Sequence, residues 1–241
     1  LPYVSVPADS DALRANSYEM LQALSGRIRY AGDIEYEHLA TEGGAIEQIN
    51  RIARERNADM IVMGTSQKSG LEQFVFGSTA LGVIQHATCP VLAVPEDMRI
   101  APPILKITYA TNFLDTDIND LREVLELARP TNAELCIMHI STEEHSPEAD
   151  IKAFHRFVKE ASETLNYPRL TAEFLTGSDT THRLIDYLES RQTDLLVTSM
   201  RDRGLFGRLF GKSLTRKALE TGHVPVIAFR HGTVSSGPLR E

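Results

Sequence analysis

Apolar residues in this chain switch repeatedly between strand and helix spacing. Ile104 to Ala110 alternates and carries Ile, Thr and Tyr, which predicts a strand, whereas Asp117 to Ala128 places Ile118, Leu121, Val124, Leu125 and Ala128 on one helical face. Arg129-Pro130 ends that helix. The alternation continues with a strand at Leu135 to Ile140 and a helix at Pro147 to Leu165 whose inward face is Ile151, Phe154, Val158, Ala161 and Leu165. A strand at Leu170 to Leu175, a helix at Thr180 to Ser190 and a strand at Asp194 to Thr198 follow. After the loop from Ser199 to Lys212, a helix at Ser213 to Thr221 and a strand at Pro225 to Phe229 complete the series.

The earlier residues run through the later part of the same order. They predict a helix near Asp9 to Leu24, a strand around Asp33 to Ala40, a helix from Gly44 to Arg56, a strand at Met60 to Met63, a helix near Ser78 to His86 and a strand at Val91 to Val94. Residue identities repeat too, at an offset of 135: Asp59-Met60-Ile61-Val62 returns as Asp194-Leu195-Leu196-Val197, Ser78 as Ser213, and Pro90-Val91-Leu92 as Pro225-Val226-Ile227. Carried backwards, that offset sets Leu1 opposite Cys136, so Ile104 to Leu135 has no counterpart. The expectation is that a leading strand and helix of the first half are missing here.

Strands alternating with helices of this length predict βαβ crossovers, a parallel sheet and helices on both faces. The expected fold is therefore α/β, two tandem doubly wound, Rossmann-type domains: residues 1–98, residues 104–231, and a tail at 232–241. Pro95 to Pro103, with three prolines, is the connection.

Composition narrows the function classes. A formal charge of −8 argues against a nucleic-acid surface, which needs clustered Lys and Arg. Apolar runs such as Ile61 to Met63 fall far short of the roughly 20 residues that span a bilayer. Only Cys89 and Cys136 are present, without CxxC spacing, so neither a disulfide framework nor a zinc site is supported, and a reducing, cytoplasmic setting fits. The eight histidines include no HxxxH or HExxH, so no metal or catalytic set is expected.

In a sheet of this kind ligands bind at the carboxyl ends of the strands, which directs attention to the loop after Met60 to Met63. Its residues Met63, Gly64, Thr65, Gln67, Gly77, Ser78 and Thr79 form the candidate nucleotide cradle, since glycines let the backbone approach a phosphate and amides opening a helix attract anions. The competing reading of the same glycines is a tight turn and a helix cap. Gly211-Lys212-Ser213 is not a Walker loop, because the position that needs glycine holds Phe206. Arg201, Arg203, Arg208 and Lys212 read as a solvated or anion-attracting rim.

The stretch Ala58 to Thr65, the Ser69-Gly70-Leu71 turn, Gly77-Ser78 and His86-Ala87-Thr88-Cys89-Pro90-Val91 resemble the universal stress protein family, as two tandem copies. The resemblance implies an adenine-nucleotide alpha-hydrolase-like fold and a stress-response role. For the nucleotide-binding branch it implies a motif of Gly, two residues, Gly, nine residues, Gly, then Ser or Thr. Gly64, Gly77 and Ser78 fit it, and Gln67 replaces the second glycine. The family's adenosine-holding Asp at the end of the first strand corresponds to Asn112 in the second half, and a second, degenerate site would comprise Ala110, Thr111, Asn112, Ser199, Lys212 and Ser213, with Asp202 at a motif position.

The resemblance implies ATP or AMP as ligand, with Mg if ATP, bound by a sensor or adaptor that is not an enzyme, slow ATP hydrolysis being compatible with that role. The alternative is a nucleotide-independent member acting through protein contacts. An adenylating ligase or pyrophosphatase is disfavoured because SGGxDS and HxGH signatures do not occur. The last strands, Pro90 to Val94 and Pro225 to Phe229, are expected to meet in an intramolecular pseudo-dimer or a homodimer.

Overall fold

The computed structural model describes residues 10–29, 35–65, 78–95, 98, 103–113, 116–142, 147–200 and 224–230. The chain divides into two compact units, residues 1–44 and 45–241. In the first, α1 (Ser10–Arg29) runs past the expected end at Leu24. Ser25 on α1 donates to the Leu21 carbonyl and lies 2.7 Å from the His38 ring nitrogen Nε2. Residues 35–40, expected as part of a strand, have no ladder. Its counterpart in the second half, Leu170 to Leu175, pairs with a neighbouring strand, and the positions equivalent to that neighbour lie outside the described residues.

The second unit holds α2 (Ala45–Glu55), β1 (Ile61–Thr65), α3 (Ser78–His86), β2 (Val91–Pro95), β3 (Lys106–Ala110), α4 (Asp117–Ala128), β4 (Glu134–Ser141), α5 (Pro147–Leu165), β5 (Leu170–Thr176), α6 (Thr180–Arg191), β6 (Leu195–Met200) and β7 (Val226–Arg230). Among the described residues the strands form one sheet of order β1-β2-β7-β6-β3-β4-β5. Every neighbouring pair is parallel except β2 with β7. The helix expected from Ser213 to Thr221 lies outside the described residues.

Because side chains alternate across a strand, a sheet covered on both faces needs apolar residues at consecutive positions. Leu195 and Val197 of β6 enter one core with α4 and α5, while Leu196 enters the other with Leu184, Tyr187 and Leu188 of α6. Ile227 of β7 joins the first core, and Val226 and Ala228 join the second. In the second core α3 packs closely on α2: a β-carbon at Gly82 would overlap the Ile46 side chain.

The 135-residue repeat extends to backbone geometry. Ile61 pairs with Val91, and Leu196 with Val226; Met63 pairs with Ala93, and Thr198 with Ala228. Asn57 after α2 and Gln192 after α6 both take left-handed φ, 48° and 54°, and the following amides of Ala58 and Thr193 reach back to the carbonyls of Ala53 and Leu188. These are equivalent helix stops in which a left-handed residue lets the chain satisfy an otherwise orphaned carbonyl. Across the antiparallel junction, Leu92 faces Ile227, its own repeat partner, with Val91 facing Ala228 and Ala93 facing Val226. A local twofold therefore passes through the Leu92–Ile227 pair.

Candidate functional site

At the carboxyl ends of β1 and β6 the two copies of the repeat carry different residues. Met63, Gly64 and Thr65 finish β1. Thr65 Oγ1 donates a long hydrogen bond, 3.4 Å, to the Val94 carbonyl and so ties the strand end to β2. Gly64 is exposed, and a β-carbon there would have no protein atom within 4 Å. Among the described residues no protein atom excludes a side chain from that position. Ser78 and Thr79 open α3, which packs against β1, β2 and β7. Gln67 and Gly77 lie outside the described residues.

At the equivalent end of β6, Ser199 stands where β1 has Gly64, and it is buried with no hydrogen-bond partner for its hydroxyl among the described residues. Ala110, at the end of β3, pairs with Thr198 of β6. Asn112 is partly exposed. Lys212, Ser213, Asp202 and the arginine rim lie outside the described residues.

Thr111 serves the protein's own loop. Its hydroxyl donates to Asp117 Oδ2 at 2.5 Å and accepts from the Phe113 amide at 2.9 Å, while its carbonyl accepts from Nδ1–H of His139 at 2.8 Å. That network holds Phe113 at φ 60°, a left-handed conformation uncommon for a residue with a β-carbon. The Phe113 ring packs on His139 with centroids 4.3 Å apart, and Phe174 covers the imidazole from β5 at 5.7 Å.

Burial lowers the His139 pKa; the Thr111 carbonyl and Asp150 oppose this with smaller effects. Around it, Asp150 on α5 is the charged neighbour, and its carboxylate is engaged by the Ser141 hydroxyl. With a depressed folded-state pKa, the unfolded chain binds the extra proton first, so His139 contributes stability above the unfolded imidazole value of about 6.5 and loses it as pH falls below that. Urea denaturation should show stability falling as pH drops below that value, and His139→Gln should flatten this part of the profile. An unchanged slope in the variant would exclude His139 as its source.

Two buried carboxylates escaped the sequence reading. Asp117 and Asp120 face the sheet from the first turn of α4, Asp120 accepting from the buried Tyr109 hydroxyl at 3.1 Å. The signal was available: the apolar stripe of Leu121 and Val124, continued four residues back, arrives at Asp117 and Asp120. Burial, then the adjacent Asp120 and Asp117 charges, raise the Tyr109 pKa well above that of a free phenol. Tyr109→Phe removes a hydrogen bond to a buried carboxylate and should cost about 1–3 kcal/mol in equilibrium unfolding. A loss below about 0.5 kcal/mol would mean that this bond contributes little.

Among the described residues no group of three His, Cys, Asp or Glu side chains could hold a metal. Cys89 and Cys136 are free thiols. Cys136 Sγ lies 3.0 Å from the Tyr187 hydroxyl, and burial followed by the thiol raises the Tyr187 pKa.

Residues 2–95 match the family model described as Universal stress protein family. A universal stress protein of Methanocaldococcus jannaschii is 35% identical over 104 residues, 41% of this chain and 61% of that protein. Over these residues the chain is similar to the universal stress protein family. The chain is also similar to the Na(+)/H(+) antiporter NhaS5 of Synechocystis, 34% identical over 131 residues, half of the chain and 18% of the antiporter. The chain thus spans less than two thirds of either relative. In fold it is similar to a universal stress protein from Archaeoglobus fulgidus, with a TM-score of 0.72 at 20% identity, covering 97% of the chain and 83% of that structure. A Pseudomonas aeruginosa structure described as a universal stress protein superposes at TM-score 0.60 and 18% identity, over 94% of the chain and 80% of its own length. No helix among the described residues is long and apolar enough to cross a membrane.

Proposed function

We propose that the chain comprises two tandem universal stress protein domains, residues 1–98 and 104–231, and that the first binds an adenine nucleotide, ATP with Mg or AMP, as a cytoplasmic stress sensor or adaptor without rapid turnover. The observation that carries this reading is Gly64. It lies one residue from the end of β1, and among the described residues no protein atom would lie within 4 Å of a β-carbon there. Strand ends in such sheets are where ligands collect, and a helix start supplies amides for an anion. Met63, Gly64, Thr65, Gln67, Gly77, Ser78 and Thr79 would line the cradle. The second site, with Ser199 in place of glycine and Asn112 in place of an acid, would bind more weakly.

Calorimetric titration of the full chain with ATP and AMP, with and without magnesium, tests the reading. Saturable binding near one site per chain is the expected result. The likeness to part of an antiporter favours a second reading, in which the unit acts on a larger protein through contacts and needs no nucleotide. Absence of binding at millimolar nucleotide, with the circular dichroism of the fold intact, would overturn the first reading in favour of the second.

A further inference from the structure

We propose that the outer edge of β5, with the side of α5 above it, is the docking surface for a second copy of this chain, the two β5 strands pairing antiparallel about a twofold axis at Ala172. The inference is independent of nucleotide binding.

The edge belongs to the part of the sheet whose order is complete in the second half. The stretch without a counterpart in the repeat, Ile104 to Leu135, carries β3, which lies beside β6; the equivalent position is beside β1, at the far end of the sheet from β5. Beyond β5 there is no strand among the described residues. Its inner side is defined by two bonds to β4: the Leu135 amide donates to the Arg169 carbonyl, and the Gly177 amide to the Ser141 carbonyl. Because backbone groups alternate in direction along a strand, the N–H and C=O of Ala172 and Phe174 point away from β4. Leu170 to Thr176 contains neither proline nor lysine, residues that commonly block such an edge, and its one charge, Glu173, is paired with Arg191.

A second copy fits this edge in three respects. Register comes first: with Ala172 opposite its own copy, Glu173 faces Thr171 of the other strand, whereas an axis at Glu173 would set two carboxylates against each other. Two bonds then form between the Ala172 backbones, and each Phe174 amide meets the Leu170 carbonyl opposite. The Leu170 amide already donates within its own chain to the Tyr167 carbonyl.

Helix spacing comes second. Since α5 packs on both β4 and β5 and strands lie about 4.8 Å apart, two such helices would stand about 10 Å apart across the axis, an ordinary distance for packed helices. Charge comes third. Val158, Lys159, Ser162 and Glu163 of α5 line, with Ala172, a groove of about 510 Å³. Along it the sign changes from Lys159 to Glu163 one turn later, an exposed pair 3.8 Å apart. An antiparallel copy reverses that order, so Glu163 of each helix approaches Lys159 of the other, which is the self-complementarity a twofold interface needs.

Sedimentation equilibrium of the full chain between about 1 and 300 μM tests this, together with amide exchange at Ala172 and Phe174. Expected is a monomer–dimer equilibrium with a Kd below about 100 μM, and slowing of both amides as the dimer forms. Ala172→Pro should leave a monomer throughout with a nearly unchanged Tm, because the amide it removes points away from β4. Glu163→Lys, on the exposed face of α5, should weaken the dimer at least about tenfold without altering the fold, and it decides the matter should the proline variant be unstable. A monomer at every concentration would overturn the proposal. So would a dimer that survives both substitutions, which places the interface elsewhere, or slow exchange at both amides in the monomer, which means that the chain covers this edge itself.

Discussion

Ile227→Asp is expected to unfold the protein at temperatures where the parent chain is native, with a loss above about 4 kcal/mol in urea denaturation. Ile227 is 1% exposed and lies on β7 between Leu92 of β2 and Val197 of β6. A carboxylate there meets no cation among the described residues of the apolar core, so it must either be buried unpaired or take up a proton, and both are unfavourable. Ile227→Val, which removes one methylene, should cost only about 0.5–1.5 kcal/mol. Leu92→Asp gives the sharper comparison, because Leu92 is the repeat partner facing Ile227 yet remains partly exposed. Its carboxylate can reach water, and the expected loss is about half or less of that for Ile227→Asp. Equal losses would mean that the two sides of the local twofold are equally covered, against the burial difference.

Gly64→Glu is expected to lower ATP or AMP affinity by at least about a hundredfold while leaving the unfolding midpoint nearly unchanged. The separation of the two effects is the informative part. Stability should survive because the β-carbon meets nothing within 4 Å and the backbone at Gly64 does not require the left-handed region. Binding should not survive, because an anionic side chain at the strand end fills the approach to the helix start and repels phosphate; two like charges 4 Å apart near a protein surface cost about 4 kcal/mol. Calorimetric titration alongside thermal unfolding measures both. Gly64→Ala should fall between the two, with a modest loss of affinity. Unchanged nucleotide binding in Gly64→Glu would move the site away from the end of β1.

Much of this architecture was readable along the chain. The limits of α4 and α5 agree with the periodicity, since each carries a continuous apolar stripe and α4 ends at Arg129-Pro130. In the second half Ile104 to Ala110 was legible by its alternation and Leu135 to Ile140 as an apolar run. The segment around residues 33–40 read as a strand for the same local reasons, but a strand is stable only as part of a ladder. The burial of Asp117 and Asp120 went unread, because it depends on Tyr109 and Thr111 lying close enough to satisfy them in the core.

The candidate site divides in the same way. Gly64, Ser78 and Ser199 could be singled out by position in the repeat, because the chemistry of a strand end follows from residue type and order. That Thr111 is occupied with Asp117, Phe113 and His139 depends on β4 bringing His139 to the loop between β3 and α4.

Residue order alone established the α/β alternation, the 135-residue repeat and the motif at the end of β1, because periodicity, turn residues and internal identity are local properties of a chain. Tertiary structure decided that β2 and β7 join the strands into one sheet about the Leu92–Ile227 pair, and that two aspartates belong to the core. Strand pairing and burial arise from contacts between residues distant in sequence, and the same apolar residue is core or surface according to what lies over it.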